Sequence, residues 1–272
     1  MNRKSALILS GVLGTFFSTS AIAALNCTAS PDCASLGYTM TAADCADGVK
    51  VACPTDPTKV FCKAGVQPAT CVVGAILGGD QLCYKDKLPD NVKPVGIVFD
   101  TTNKLAVALT DINSSGSAGS STMIWSANYY DIPALGNCTS STDLTTCGVD
   151  GRANTTAILN CGNICGTTPA ATAANSYEPS GCSKDFCKKT KWFLPSMRDL
   201  RKLYRVKFYV NTSLTWMADF GAKTLYENGG GHWSSTQSET GYMWGVRMDT
   251  GEESPNYRNG ASNAVVRPVV KY

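Results

Sequence analysis

Alternating apolar and polar residues predict several β-strands in the second half of the chain. Apolar side chains occupy every second position over 95–99 and again over 105–109, and the polar turn 100–103 separates the two runs. This pattern predicts a β-hairpin. The alternation at 244–248 predicts a further strand that runs into a turn. The apolar stretch 264–270 predicts the last strand, and the proline inside it confines that strand to a sheet edge or a bulge.

Two short helices are predicted by apolar residues at helical spacing and by their first residues. The clearer one begins after Ser196, has Asp199 three residues later as an acidic variant of the capping box, and carries an apolar stripe over 197–204. The other covers 169–177, with a proline in its first turn and a threonine before it as the candidate cap. The segment 136–165 is small and polar and is expected to be loop. Two short helices combined with turn-linked antiparallel strands predict an α+β domain.

The first 23 residues are expected to be an export signal that is cleaved off. A short basic start at 1–4 precedes a mostly apolar run at 6–17, and small residues stand at 21 and 23, where a signal peptidase reads them. The apolar run is too short for a permanent membrane span. We therefore expect a secreted, periplasmic or cell-surface protein without a permanent membrane span.

Thirteen cysteines in 272 residues are many, and export places them in an oxidising compartment. The first seven fall within residues 27–83 among small and polar residues, so cross-links must supply much of the stability of that region. The other six come as close neighbours, which predicts the disulfides Cys138–Cys147, Cys161–Cys165 and Cys182–Cys187. An odd total leaves one thiol free or bonded to another chain. Such close pairs can also be half of a zinc site, but a single histidine and the absence of a CxxC pair argue against a metal.

The chain is expected to divide near the turn-prone segment 88–91, directly after the seventh cysteine. This gives a signal peptide at 1–23, a small disulfide-stapled module at 24–90 and a larger domain at 91–272. The connectivity of the cysteines inside the smaller module is left open.

Five short motifs within the larger domain resemble, in the same order, those of the Lcl C-terminal-domain-like family of secreted bacterial proteins. They are the hairpin VGIVF and LAVAL at 95–99 and 105–109, WFLPSMRDL at 192–200, HWSST at 232–236, WGV at 244–246 and VRPV at 266–269. The resemblance covers about residues 92–272 and implies a C-type-lectin-like fold, although the calcium motifs of sugar-binding lectins are absent. Large apolar residues beside turns seal small β cores, so Trp192, Trp233 and Trp244 are interpreted as core residues. The family supplies a scaffold and little chemistry.

Charge is unevenly distributed, although the whole chain carries a formal net charge of only +3. Two of the positive charges belong to the expected signal peptide. The net charge of the rest of the chain is too small for a general attraction to nucleic acid. The strongest local excess is basic and lies around the second helix, where four cations share the side opposite the apolar stripe: Arg198, Arg201, Lys202 and Arg205. A rigid row of cations can hold a polyanion such as a sulfated polysaccharide. The alternative is an ordinary solvated helix face.

A second candidate surface is the stretch 256–263, whose Asn, Tyr, Ser and Gly residues are typical of adaptable recognition loops. Its candidate ligand-binding residues are Asn256, Tyr257, Arg258, Asn259 and Asn263. The stretch also resembles the hypervariable tail of lectin-fold proteins that retroelements diversify, which would imply varied partners. The alternative is an ordinary turn with the same composition.

Candidate catalytic residues are few. The single histidine, His232, has no GxSxG motif to accompany it and is interpreted as structural or surface. Asp249, Glu252, Glu253 and Asn256 could together offer oxygen ligands to calcium, but no metal or other cofactor is predicted.

The sequence therefore predicts an exported, non-enzymatic bacterial binding protein, adhesin-like, whose ligand is a glycan, such as a polyanionic one, or a protein. One alternative is a small extracellular enzyme, since formylglycine-generating oxidases share a related fold. The other is a purely structural surface component.

Overall fold

The computed structural model describes residues 40–41, 49–53, 56–63, 68–225, 231–259 and 264–272. The expected signal peptide, Cys27, Cys33, Cys45 and the candidate Asn263 lie outside the described residues. The chain forms two compact units, Met1–Ala64 and Gly65–Tyr272. The described part of the first unit is an antiparallel sheet with β1 (Met40–Thr41) and β2 (Val49–Cys53) on either side of β3 (Asp56–Lys63).

The second unit is a mixed α+β structure with antiparallel sheets and four disulfides. Its strands are β4 (Ile76–Gly78), β5 (Cys83–Tyr84), β6 (Pro94–Asp100), β7 (Leu105–Ala108), β8 (Trp192–Phe193), β9 (Gly231–Gln237), β10 (Tyr242–Arg247), β11 (Glu253–Tyr257), β12 (Ala264–Val265) and β13 (Val269–Lys271). Its α-helices are α1 (Gly151–Leu159), α2 (Pro169–Ser176), α3 (Met197–Arg205) and α4 (Lys207–Trp216). Short 3-10 turns lie at Asp143–Thr145, Gly162–Ile164, Asp185–Cys187 and Ala218–Phe220.

The strands of this unit form two sheets. The larger sheet has the order β5-β4-β6-β7-β13-β8 and is antiparallel throughout. The predicted hairpin is its centre, with Ile97 opposite Val107. The smaller sheet has the order β11-β10-β9-β12, and only the short β12–β9 pair in it is parallel.

The boundary between the units differs from the one expected at residue 90. Strands β4 and β5 precede residue 90, yet β4 pairs with β6 and places Ile76 opposite Ile97. The disulfide Cys71–Cys83 also lies within the larger unit. The segment 68–90 is therefore part of the same sheet as the hairpin, and the division falls at residues 64 and 65.

Three elements differ from the sequence prediction. The expected loop 136–165 contains α1, whose buried side includes the polar Asn154 and Thr155, so it shows little apolar periodicity. Helix α4 directly follows α3 and was not predicted, which gives four α-helices among the described residues instead of two. The expected last strand is split at Pro268 into β12 and β13, which belong to different sheets. A proline has no N–H to donate to a sheet ladder, so the strand is interrupted there.

The two faces of the larger sheet are covered by different helices. Along β6, Val98 packs into one apolar cluster with α1 and α2, while its neighbours Ile97 and Phe99 pack into the other with α3 and α4. Successive side chains of a strand point to opposite faces, so this sheet is the middle layer between two pairs of helices.

The three predicted core tryptophans are buried, which confirms their interpretation. Each indole N–H donates to a backbone carbonyl: Trp192 to Cys187 at 2.8 Å, Trp233 to Met123 at 2.7 Å and Trp244 to Cys138 at 2.6 Å. Trp125, which the sequence analysis did not single out, is buried in the same way. Burying an aromatic ring with its one polar group satisfied is strongly stabilising, and here it ties loops to the sheets.

The capping box predicted at the start of α3 is present. The Ser196 hydroxyl accepts from the Asp199 N–H at 3.2 Å, and Asp199 Oδ2 accepts from the Ser196 N–H at 3.0 Å. By contrast, Thr168 precedes α2 at the expected position but makes no side-chain cap bond. Within the described ranges, no helix is both long and apolar enough to cross a membrane.

Candidate functional site: a tyrosine surface beside a buried arginine

The basic face of α3 is largely neutralised by ion pairs. Arg201 donates through Nε and Nη2 to the two carboxylate oxygens of Glu253, both at 2.6 Å. Lys202 Nζ lies 2.5 Å from Asp100 Oδ2. Arg198 and Arg205 have no ion-pair partner in the described part of the chain, but two isolated cations are a weaker polyanion site than a row of four.

The recognition loop expected at 256–263 contains one residue that is not on the surface. Arg258 is fully buried, which corrects its assignment as a ligand-contacting residue. Its guanidinium donates to Gln237 Oε1 at 2.5 Å, to Asp131 Oδ1 at 3.3 Å and to the Tyr130 carbonyl, and it lies 5.4 Å from the Trp125 ring centroid. Burial lowers the pKa of the Arg258 guanidinium, while the charge of Asp131 opposes that shift. A buried cation with these partners holds the surrounding loops together.

Four tyrosines lie around this arginine and form what we term the tyrosine surface: Tyr129, Tyr130, Tyr242 and Tyr257. Tyr130 is 67% exposed, Tyr257 55% and Tyr129 45%. A Cβ atom added at Gly241 would lie 3.3 Å from Cδ1 of Tyr129, so the Tyr129 ring rests against the residue before Tyr242. The Tyr130 carbonyl accepts from Arg258, the residue after Tyr257. The backbone positions of the four tyrosines are therefore brought together around Arg258.

Tyr242 and Tyr257 face each other across the pair β10–β11. Their ring centroids are 4.3 Å apart and the ring planes are tilted by 37°. A hydrogen bond with the Tyr257 side chain is the main cause that raises the pKa of Tyr242 to about 12. This contact fixes both rings and leaves Tyr257 exposed.

Gln237 fixes the loop that carries Tyr129 and Tyr130. It is buried, its Oε1 accepts from the Ile132 N–H at 2.9 Å, and its Nε2 donates to Asn137 Oδ1 at 2.6 Å. Asp131 accepts from Asn137 at 3.0 Å and from Thr240 Oγ1 at 2.9 Å. These bonds connect the loop to β9 and to the turn before β10, so polar contacts hold the loop of Tyr129 and Tyr130 on both sides.

Of the other predicted residues in this loop, Asn256 and Asn259 are partly exposed. The Asn256 side chain donates to Ser254 O at 3.1 Å, within its own strand. Neither side chain forms a described hydrogen bond with Arg258.

Two of the three carboxylates considered for calcium pair with arginines instead. Asp249 pairs with Arg247 at 2.7 Å, and this hydrogen bond is the main cause that lowers the pKa of Asp249 to about 2. Glu253 is held by Arg201. Across the part of the chain that the structure describes, no three His, Cys, Asp or Glu side chains are grouped as metal ligands.

His232 is buried on β9 next to a second buried charge cluster. Its Nε2 lies 3.4 Å from Asp111 Oδ1, and Arg267 Nη1 lies 3.2 Å from the same oxygen. Arg267 also donates to the carbonyls of Ala108 and Leu109, both at 3.0 Å. Burial raises the pKa of Asp111, but the charge of Arg267 and the contact with His232 outweigh it and hold that pKa well below its usual range. This cluster connects β7 and its following residues to the C-terminal segment and is structural.

The described cysteines of the larger unit are paired. The structure contains the three disulfides that the spacing predicts, Cys138–Cys147, Cys161–Cys165 and Cys182–Cys187, in addition to Cys71–Cys83. Cys138 connects to the core through its disulfide with Cys147 and through its carbonyl, which accepts from the indole N–H of Trp244.

Sequence reasoning found Tyr257 but missed Tyr129, Tyr130 and Tyr242. One signal was present: two adjacent tyrosines stand in a polar loop, a composition typical of recognition loops. Nothing local in the sequence indicated that this loop meets β10 and β11, because the connecting residues are far apart along the chain.

No protein-family model matches the chain, and no curated protein matches it. Among solved structures, the chain is similar to a fimbrial protein from Bacteroides ovatus, with 16% identity and a TM-score of 0.48. The match covers 74% of this chain and 49% of that one, so this chain spans about half the length of that structure.

Proposed function

We propose that this chain is an exported binding protein that recognises an extracellular macromolecule through the tyrosine surface and does not transform it. The observation that carries the proposal is that Tyr130 and Tyr257 are both exposed, while the buried Arg258 follows Tyr257 in the chain and donates to the Tyr130 carbonyl. Tyrosine contributes a large contact area at low conformational-entropy cost and offers a hydroxyl for hydrogen bonding. Such residues dominate the energetics of many binding surfaces.

The rigidity of the surface supports binding over a merely solvated turn. The rings of Tyr242 and Tyr257 are in contact, and the loop of Tyr129 and Tyr130 is anchored through Gln237. A surface that is ordered before binding loses less entropy on association.

Export and the C-type-lectin-like scaffold are parts of the same proposal. The basic and apolar start of the chain supports export, and four disulfides in the larger unit suit an oxidising compartment. The resemblance of residues 92–272 to the Lcl C-terminal-domain-like family supports the scaffold. Two of the four cations on α3, Arg201 and Lys202, are already paired, so the tyrosine surface is the better supported site.

The proposal is tested by screening the full-length chain on arrays of glycans and extracellular-matrix proteins. The variant Tyr130→Ser/Tyr257→Ser removes two exposed rings. The matched control Phe208→Ser/Tyr209→Ser removes two rings from α4 that are 76% and 60% exposed. We expect the wild type and the control to bind the same ligand and the tyrosine-surface variant to lose it. Turnover of a bound molecule would favour the enzymatic alternative, and a chain that binds nothing would favour the structural one.

A further inference from the structure

A small pocket lies at the adjoining starts of α1 and α3, away from the residues of the tyrosine surface. It has a volume of about 160 Å³, and its walls include Arg152, Phe193, Arg198, Asp199 and Lys271. The Arg152 guanidinium lies 4.9 Å from the centroid of the Phe193 ring, so this side of the pocket is a flat aromatic and guanidinium wall.

Two of the residues that line this pocket each have a buried polar atom without a hydrogen-bond partner among the described residues: Nε of Arg198 and Oδ1 of Asp199. Asp199 is 2% exposed and uses its other oxygen, Oδ2, for the cap of α3. A buried polar group that lacks a partner costs about 1–3 kcal/mol, and more when it is charged. One unpaired donor and one unpaired acceptor on neighbouring residues therefore indicate a ligand that donates and accepts at once.

The charges of the pocket select among such ligands. A plain anion would pair with Arg198 but would be repelled by Asp199 and by Asp150, which also lines the pocket. A plain cation would meet Arg152, Arg198 and Lys271. A hydroxyl group avoids both conflicts, because it donates one hydrogen bond and accepts others. Burial raises the pKa of Asp199, and a hydroxyl that donates to its Oδ1 would oppose that shift.

We propose that this pocket binds a single monosaccharide unit, whose hydroxyls join Arg198 Nε to Asp199 Oδ1 and whose apolar ring face packs on Phe193. The size suits a small ring, since a cavity of about 150 Å³ takes up benzene. The C–H groups of a sugar ring form an apolar face that an aromatic ring can cover. Both unpaired atoms are buried in the free chain, so sugar binding at this site requires the Arg198 side chain to change rotamer. The site is independent of the tyrosine surface.

The test is a titration of the ¹⁵N-labelled full-length chain, followed by the backbone amide of Gly151, which also lines the pocket. The probes are the methyl glycosides of glucose, mannose and galactose, with inorganic phosphate and cyclohexanol for comparison. We expect at least one glycoside to shift the Gly151 resonance saturably at millimolar concentration. Arg198→Gln should weaken that binding about tenfold, because it removes one charged hydrogen-bond partner.

Arg205→Gln is the matched control, since Arg205 is an exposed arginine on the same helix without an ion pair in the described part of the chain. It should leave the affinity unchanged, as should Tyr130→Ser/Tyr257→Ser, which separates this site from the proposed function. Thermal unfolding by circular dichroism establishes that Arg198→Gln is folded. The proposal is overturned if no glycoside shifts Gly151 up to about 100 mM, if Arg198→Gln binds as the wild type does, or if phosphate alone produces the shift.

Discussion

Arg258 Nη2 donates to Gln237 Oε1 across 2.5 Å, and both side chains are buried. The same guanidinium donates to Tyr130 and Asp131, so one cation holds together two loops and a strand. Replacing Arg258 by Met would leave the Gln237 oxygen and the Tyr130 carbonyl without this donor. We expect the free energy of unfolding to fall by about 3 kcal/mol, measured by guanidinium chloride denaturation.

Arg247→Met is the control for that substitution. Arg247 forms an exposed pair with Asp249, and exposed pairs contribute about 0–1 kcal/mol. Equal losses for the two variants would show that the buried network does not hold the tyrosine surface.

The buried Asp111 makes stability depend on pH on the acid side. Its folded pKa is below its unfolded pKa of about 3.9, so its contribution is fully present above that value and is lost as the pH falls through the folded pKa. Asp111→Asn should lower the stability at pH 7 by about 3 kcal/mol and flatten its decline below pH 4. Urea denaturation at pH 7 and pH 3 measures both effects. Asp185→Asn, which breaks an exposed pair with Lys191, should change neither.

The contact between Tyr242 and Tyr257 makes stability depend on pH on the alkaline side. The pKa of Tyr242 is raised to about 12 mainly by its hydrogen bond with Tyr257. The resulting stabilisation is present below the unfolded pKa of about 10 and is lost as the pH rises through the folded value. Tyr257→Phe should bring the pKa of Tyr242 down towards about 10, as followed by ¹³C NMR of the Tyr242 ring. Tyr129→Phe should leave it near 12. An unchanged pKa in Tyr257→Phe would contradict the pairing.

The contribution of the α3 capping box to stability can be measured by comparison with α2, which lacks a side-chain cap bond. Ser196→Ala removes the acceptor for the Asp199 N–H and the hydroxyl that donates to Asp199 Oδ2 at 2.7 Å. We expect a loss of about 1–2 kcal/mol in the free energy of unfolding by urea. Thr168→Ala, at the start of α2 where no side-chain cap bond exists, should cost less than about 0.5 kcal/mol. A larger loss at Thr168 would be inconsistent with these caps.

The features that the sequence predicts correctly depend on neighbouring residues. The hairpin of β6 and β7, the cap of Ser196 with Asp199 and the close cysteine pairs all join positions at most twelve residues apart. Helix α1 was not predicted because its buried side includes the polar residues Asn154 and Thr155. Its apolar residues therefore do not recur at helical spacing.

The candidate sites were harder to predict because their determinants are distant in sequence. Arg258 was expected on the surface because it stands in a polar turn, but its partners Gln237 and Tyr130 lie 21 and 128 residues away. The basic face of α3 was overestimated for the same reason, since Arg201 meets Glu253 across 52 residues. Local composition indicates which residues are polar, and only the tertiary structure decides which of them are already paired.

Binding by the tyrosine surface is tested by the dissociation constant of the ligand captured on the arrays. It is determined in solution for the wild type and for Tyr130→Ser/Tyr257→Ser. Loss of two aromatic anchors should weaken binding by at least about a hundredfold, while Phe208→Ser/Tyr209→Ser should retain the wild-type value. Equal affinity of the wild type and the tyrosine-surface variant, both folded, would show that the tyrosine surface does not bind this ligand.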